Sequence, residues 1–138
     1  MTDLAAPSTD DFDEDIDGVT CFRWNPVRAD GRRADNFGDL LGPLIVRALL
    51  ESETDTTDGA ARRPERSAGR LFSVGSVLHF TADGDVVWGA GVNGKIAVRR
   101  IEPVTLDVRA VRGRLSREVL SAIGFDVPAV FGDPALLL

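Results

Sequence analysis

The chain has one cysteine, one histidine and no tyrosine in 138 residues, and each shortage removes a class of chemistry. With Cys21 alone there is neither an intramolecular disulfide framework nor a cysteine-rich metal site, and a reduced, cytoplasmic compartment is expected. With His79 alone, a Ser-His-Asp or Cys-His triad has little to draw on, and zinc would need carboxylates in its shell. His79 sits on an apolar turn, where a packed ring is expected rather than a catalyst. No apolar run approaches the roughly 18 residues that cross a bilayer. The acidic N-terminus lacks the basic start and apolar stretch of a secretory signal. No complete GxxxxGK[ST] occurs, so no P-loop is offered, and the glycines are read without a dinucleotide fingerprint.

What is present is globular: 43% hydrophobic and 28% charged residues, enough for one domain and too few for two. The net charge of −6 is uneven. Of 22 acids, seven stand within residues 1–20, where there is no base; 15 acids and 16 Lys and Arg follow. Arginines scattered among acids make no nucleic-acid footprint, so none is expected as a partner. Residues 1–18 are expected to be a disordered acidic tail, because so polar a segment buries too little to offset its ordering entropy. Within it, Asp13-x-Asp15-x-Asp17-Gly18 matches the first half of a calcium loop. The position that should supply the bidentate glutamate is Trp24, so the match fails and no metal is expected.

Beyond the tail, short β-branched and aromatic runs alternate with helical spacing. Val19-Thr-Cys-Phe-Arg-Trp24 reads as a strand. Leu40 to Leu50 reads as a helix opened by Asn36-Phe-Gly-Asp39, with Pro43 in its first turn, where a missing N–H costs nothing. Residues 51–69 lack periodicity and read as a long surface loop. Strands follow at Leu71–Val74, Val86–Trp88, Val104–Val111 and Ala129–Phe131, with an amphipathic helix from Gly113 to Ile123 closed by Gly124. This order predicts an α/β fold with a Rossmann-like parallel sheet. Nearly every strand runs into glycine or polar residues at its C-terminal end, the edge where open parallel sheets bind ligands.

Each candidate at that edge has two readings. Asn36, Gly38 and Asp39 form a strand-to-helix turn whose amides and carboxylate suit an oxygen ligand, a sugar hydroxyl or a proton; they equally suit a helix cap. Gly75-Ser76 and Gly89-Ala-Gly91 permit close approach of a ligand or an ordinary tight turn. Arg109, Arg112, Arg114 and Arg117 cluster near one helix start. Arg112 there suits phosphate or carboxylate, and the solvated helix face is the alternative. Asp133 before Pro134 orients a hydroxyl or shapes a turn.

Taken in order, Asn36-Phe-Gly-Asp39, Val74-Gly-Ser76, Val87-Trp-Gly-Ala-Gly91, Ala110-Val-Arg-Gly-Arg-Leu-Ser-Arg117, Gly124 and Gly132-Asp-Pro-Ala-Leu-Leu-Leu138 resemble the polysaccharide pyruvyl transferase family. Asp107-Val-Arg-Ala-Val-Arg-Gly113 with Gly132-Asp-Pro134 is the most specific part. The resemblance runs from about Val19 to Leu138 and matches the N-terminal half of a family member. It implies one half of a glycosyltransferase-B-like two-domain fold. It also implies transfer of a pyruvyl group from phosphoenolpyruvate to two hydroxyls of an exopolysaccharide or cell-wall glycan, giving a cyclic ketal. No cofactor is implied beyond phosphoenolpyruvate as donor substrate.

By the same resemblance Asp39 would be the catalytic base, and Asn36, Gly38, Gly75, Ser76, Gly89, Gly91, Arg112 and Asp133 would bind substrate. The acceptor would be a saccharide or lipid-linked oligosaccharide at the inner face of the membrane. Three bulky residues, Leu136 to Leu138, are expected to dock on a C-terminal half or a second copy. A non-catalytic remnant or sugar-binding module, and a nucleotide-sugar glycosyltransferase fragment, are the alternative readings.

Overall fold

The computed structural model describes residues 12–34, 36–54, 69–94 and 105–138. Five strands, β1 (Asp13–Ile16), β2 (Val19–Phe22), β3 (Leu71–Phe72), β4 (Val86–Trp88) and β5 (Asp107–Ala110), form one sheet in that order. Strands β2 to β5 are parallel, and β1 pairs antiparallel with β2 at the edge. The architecture is α/β, but the sheet is mixed rather than wholly parallel. Its described strands run in sequence order, without the reversal of a doubly wound sheet.

The expectation of a tail through residue 18 is corrected. Residues 1–11 lie outside the described residues, but Phe12 and Ile16 are each only 4% exposed. Asp17 (φ 51°) and Gly18 (φ 90°) make the tight turn between β1 and β2. Positive φ at both central residues matches the twist of flanking strands, and Asp-Gly is a favoured pair there. The acidic run is therefore a hairpin. Asp15 also accepts the Gly18 N–H through Oδ1 at 3.1 Å. Composition averaged over the segment hid two buried anchors and a turn signal.

Alternation along the strands divides the core. Cys21 and Leu71 join Ile16 and Val46 in one cluster, while their neighbours Phe22 and Phe72 join Val87, Val108 and Leu120 in another. Successive strand side chains point to opposite faces, so helix α1 (Phe37–Thr54), which carries Val46, covers one face. Helix α2 (Arg114–Ala122), which carries Leu120, covers the other. Burying a side chain such as Phe72 or Leu120 contributes roughly 1.5–3 kcal/mol each. Burial first, then the negative charges of Glu14 and Asp15, pushes the Cys21 thiol up to about 12.

Helix α1 begins earlier and ends later than the apolar spacing predicts. Pro43 is consequently its seventh residue, not part of its first turn. A proline there has no N–H for the carbonyl four residues back, which belongs to Asp39. The helix also lies very close to the end of β3. A β-carbon on Gly42 would stand 2.7 Å from Ser73 Oγ, so only glycine allows this approach without rearrangement. Residues 51–54, expected in a surface loop, are the last turn of α1, and 55–68 lie outside the described residues.

A buried ion pair braces the edge of the sheet where β3 and β4 begin. Asp85, 2% exposed, accepts from Arg70 Nη2 at 2.9 Å and from the backbone N–H groups of Arg70 and Ala82, each at 2.8 Å. Arg70 also donates to the Phe80 carbonyl at 2.8 Å and lies over the rings of Phe22 and Phe72. The Asp83-Gly-Asp85 turn is thus locked by charge-assisted bonds. Strand β5 continues into a parallel bridge between Val111 and Phe131. The chain then enters a short 3-10 turn, Pro134–Leu137, which contacts α1. Among the described residues, no helix is long and apolar enough to cross a membrane.

Candidate functional site

The segments that leave the C-terminal ends of the parallel strands converge on a cavity of about 490 Å³. Trp24 comes from beyond β2, Val74 to Val77 from beyond β3, Asn93 from beyond β4 and Arg112 from beyond β5. The first turn of α1 adds Gly38 and Asp39, and the C-terminal turn adds Asp133 and Ala135. Parallel strands end on one edge by construction, and the loops beyond them meet there. Six of the nine residues singled out from the sequence therefore share one cavity: Gly38, Asp39, Gly75, Ser76, Arg112 and Asp133.

Asp39 is placed by both of its neighbours. Asn36 donates its Nδ2 amide to Asp39 Oδ2 at 2.6 Å, so the side chains at the helix start bond each other. Gly75, with φ 101°, lets the chain beyond β3 pass closely; a β-carbon there would lie 3.1 Å from Asp39 Oδ1. Burial disfavours the charged form and pushes the Asp39 carboxyl above its ordinary value, while the Asn36 bond pulls partly the other way.

The cationic wall is Arg112. Its Nη1 donates to Ser76 Oγ at 2.8 Å and its Nη2 to the Val92 carbonyl at 3.3 Å. The four-arginine cluster expected from the sequence does not assemble. Arg109 is held by Asp107 at 2.7 and 2.8 Å on the exposed face of β5, and Arg117 donates to the Val127 carbonyl at 3.1 Å. Only Arg112 among the four lines the cavity.

Gly89 and Gly91 sit behind the lining instead of forming it. Gly89, at φ 94°, lies under Pro134 and the Gly132 carbonyl, and Gly91 lies under the Arg112 guanidinium. The reading of these glycines also needs correcting at the level of the sequence. Gly89-Ala-Gly91-Val-Asn-Gly94 does have the GxGxxG spacing, directly after β4. Its backbone donors are nonetheless engaged within the protein. Gly89 N–H donates to Ala110, Gly91 N–H to Gly75 and Val92 N–H to Ser116 Oγ, at 2.9, 2.9 and 3.2 Å. A phosphate-cradling loop needs such groups turned toward the ligand, so the spacing here serves packing between strands.

Asp133 divides its role. Its Oδ1 caps the C-terminal turn by accepting from Ala135 N–H at 3.0 Å, while the residue also lines the cavity. Leu136 and Leu137 stand exposed on that turn, and Leu138 follows them.

The sequence did not mark the apolar wall. Trp24, Phe80 and His79 line the cavity, with Trp24 and Phe80 stacked at 4.6 Å and the His79 ring 4.0 Å from Phe80. The expected packing of His79 is observed, but on the cavity wall. Among the described residues, no group of three or more His, Cys, Asp or Glu is placed to hold a metal. A scan against protein-family models matched none, and searches of curated proteins and of solved structures returned no match.

Proposed function

We propose that this chain is a pyruvyl transferase-type half-domain, resembling the Rossmann-like N-terminal half of a glycosyltransferase-B-like enzyme. Its cavity would be one wall of a cleft in which phosphoenolpyruvate and a saccharide meet. The observation that supports this reading is the placement of Asp39 and the Arg112–Ser76 pair on one cavity at the C-terminal edge of the sheet. The reaction needs both kinds of group. Two sugar hydroxyls lose protons and bond to the central carbon of phosphoenolpyruvate. One proton ends on the methylene carbon, the other on departing phosphate. Asp39, its proton affinity raised by burial, suits the first deprotonation. Arg112 suits a carboxylate or phosphate oxygen.

In this reading a second half-domain supplies the remaining cationic contacts to the donor, and Leu136 to Leu138 are the surface it covers. Phosphate release from phosphoenolpyruvate, followed by phosphorus NMR with a diol-bearing saccharide and a matching C-terminal half added, tests it. Release that depends on both halves and falls at least a hundredfold in Asp39→Asn is expected. An unchanged rate in that variant removes Asp39 as base. Two carboxylates facing one guanidinium favour a second reading, a saccharide-binding module without transfer. Saccharide binding with no phosphate release under any pairing would select it.

A further inference from the structure

The cavity carries too little positive charge for the donor that the proposed function assigns to it. Among the described residues, its ionic lining is Asp39 from α1, Asp133 from the C-terminal turn and Arg112 from the end of β5. That is one cation against two carboxylates. A dianionic or trianionic ligand entering such a site meets net repulsion unless a proton is taken up with it. Asp133 is committed to the Ala135 amide. The remaining neutral group able to become a cation near neutral pH is His79, on the 3-10 turn Leu78–Phe80.

The imidazole is held for such a role. Its ring is wedged against Phe80, which itself stacks on Trp24 and Phe22, so its place on the wall is fixed by packing with the aromatic core. Nδ1 is shielded from solvent, which leaves Nε2 as the nitrogen able to meet a ligand. Opposite signs across a small, partly dry cavity interact more strongly than in water.

We infer that His79 is a ligand-contacting residue of this cavity, taking up a proton as an anionic phosphate or carboxylate oxygen binds and donating to that oxygen through Nε2. The inference rests on the donor reading above and adds to it the group that makes binding proton-linked. A neutral saccharide needs no such proton and binds independently of His79 ionisation.

The lone histidine gives one set of imidazole signals, so the unmodified full chain can be titrated by NMR with phosphoenolpyruvate, inorganic phosphate, pyruvate and a neutral saccharide in turn. Phosphoenolpyruvate is expected to shift the His79 signals saturably and to raise their apparent pKa by about one unit, which equals about tenfold tighter binding to the protonated form. Affinity then falls about tenfold from pH 5.5 to pH 8, and this dependence disappears in His79→Gln but persists in Asp39→Asn. A response to phosphate alone assigns the phosphoryl end of the ligand, and one to pyruvate alone the carboxylate; either supports the inference. If phosphoenolpyruvate shifts the amides of Ser76 and Arg112 while the imidazole stays still, the His79 role is overturned and the donor reading stands. A dependence lost in Asp39→Asn and kept in His79→Gln puts the proton on Asp39 and overturns it as well. If phosphoenolpyruvate shifts no signal at all, both fall.

Discussion

The guanidinium of Arg112 lies across Gly91 so closely that a β-carbon on Gly91 would stand 2.8 Å from Cζ. The absence of that carbon lets the arginine lie flat across the ends of the strands and reach Ser76. The obstructing atoms would belong to a flexible side chain. Gly91→Ala is therefore expected to fold, with a melting temperature within a few degrees of the parent, while Arg112 is pushed off Ser76. A charge-assisted hydrogen bond contributes about 1.5–3 kcal/mol. Anion affinity measured by calorimetry should fall about tenfold to a hundredfold.

Gly89 behaves differently, because its neighbours cannot swing away. Its φ of 94° strains any side chain, and a β-carbon would lie 2.7 Å from Pro134 Cγ and 2.9 Å from the Gly132 carbonyl. Gly89→Ala should cost about 2–4 kcal/mol of folding stability, read by urea denaturation. The C-terminal turn should lose hydrogen-exchange protection first. Equal stability of variant and parent would mean that this contact is not made.

Asp39 links stability to pH with a definite sign. Its folded-state carboxyl is raised above the ordinary value of 3.8 by burial, so between the unfolded and folded values the native state binds more protons. Stability from this group is fully present below 3.8 and is lost as pH rises through the folded value. Ionised Asp39 therefore weakens the fold at neutral pH. Asp39→Asn should melt higher than the parent at pH 7, and the difference should vanish below pH 3.8. A variant that melts lower at pH 7 would contradict this sign.

Asp85 is the strongest single anchor of the turn before β4, and truncating it strands the Arg70 charge in a mostly buried place. Removing one partner of a buried pair costs about 3–5 kcal/mol. Asp85→Ala should lose that much in denaturant titration. The pair Asp85→Leu with Arg70→Met should recover much of the loss, because no unpaired charge remains.

Much of the fold was legible from local patterns. The strand at Val86–Trp88 was placed at its observed bounds, and Gly113 to Ile123 was read close to the observed α2, because periodicity and terminal glycines are local signals. Gly124, at φ 102°, sits just past that helix as a closing residue should. The acidic hairpin was not seen, since its stability depends on Phe12 and Ile16 finding a core that local composition does not reveal. Pro43 was misplaced because the helix start at Phe37 is set by the Asn36–Asp39 pair and the contact with the chain beyond β3.

The sequence by itself determined that strands and helices alternate, and that glycines and small polar residues follow the strands, because these follow from side-chain size, branching and period. It also determined which chemistries are scarce: one thiol and one imidazole. Only the tertiary structure decided which of those residues meet. Gly75 and Gly91 have the same local meaning, yet one lies on the cavity and the other lies beneath Arg112. Arg109 and Arg112 are three residues apart, yet one pairs with Asp107 in solvent and the other spans the strand ends. His79 reads as a packed ring on a turn, and the same packing sets it on the cavity wall with Asp39. Such differences arise from parallel pairing and close approach between distant segments, which local spacing does not encode.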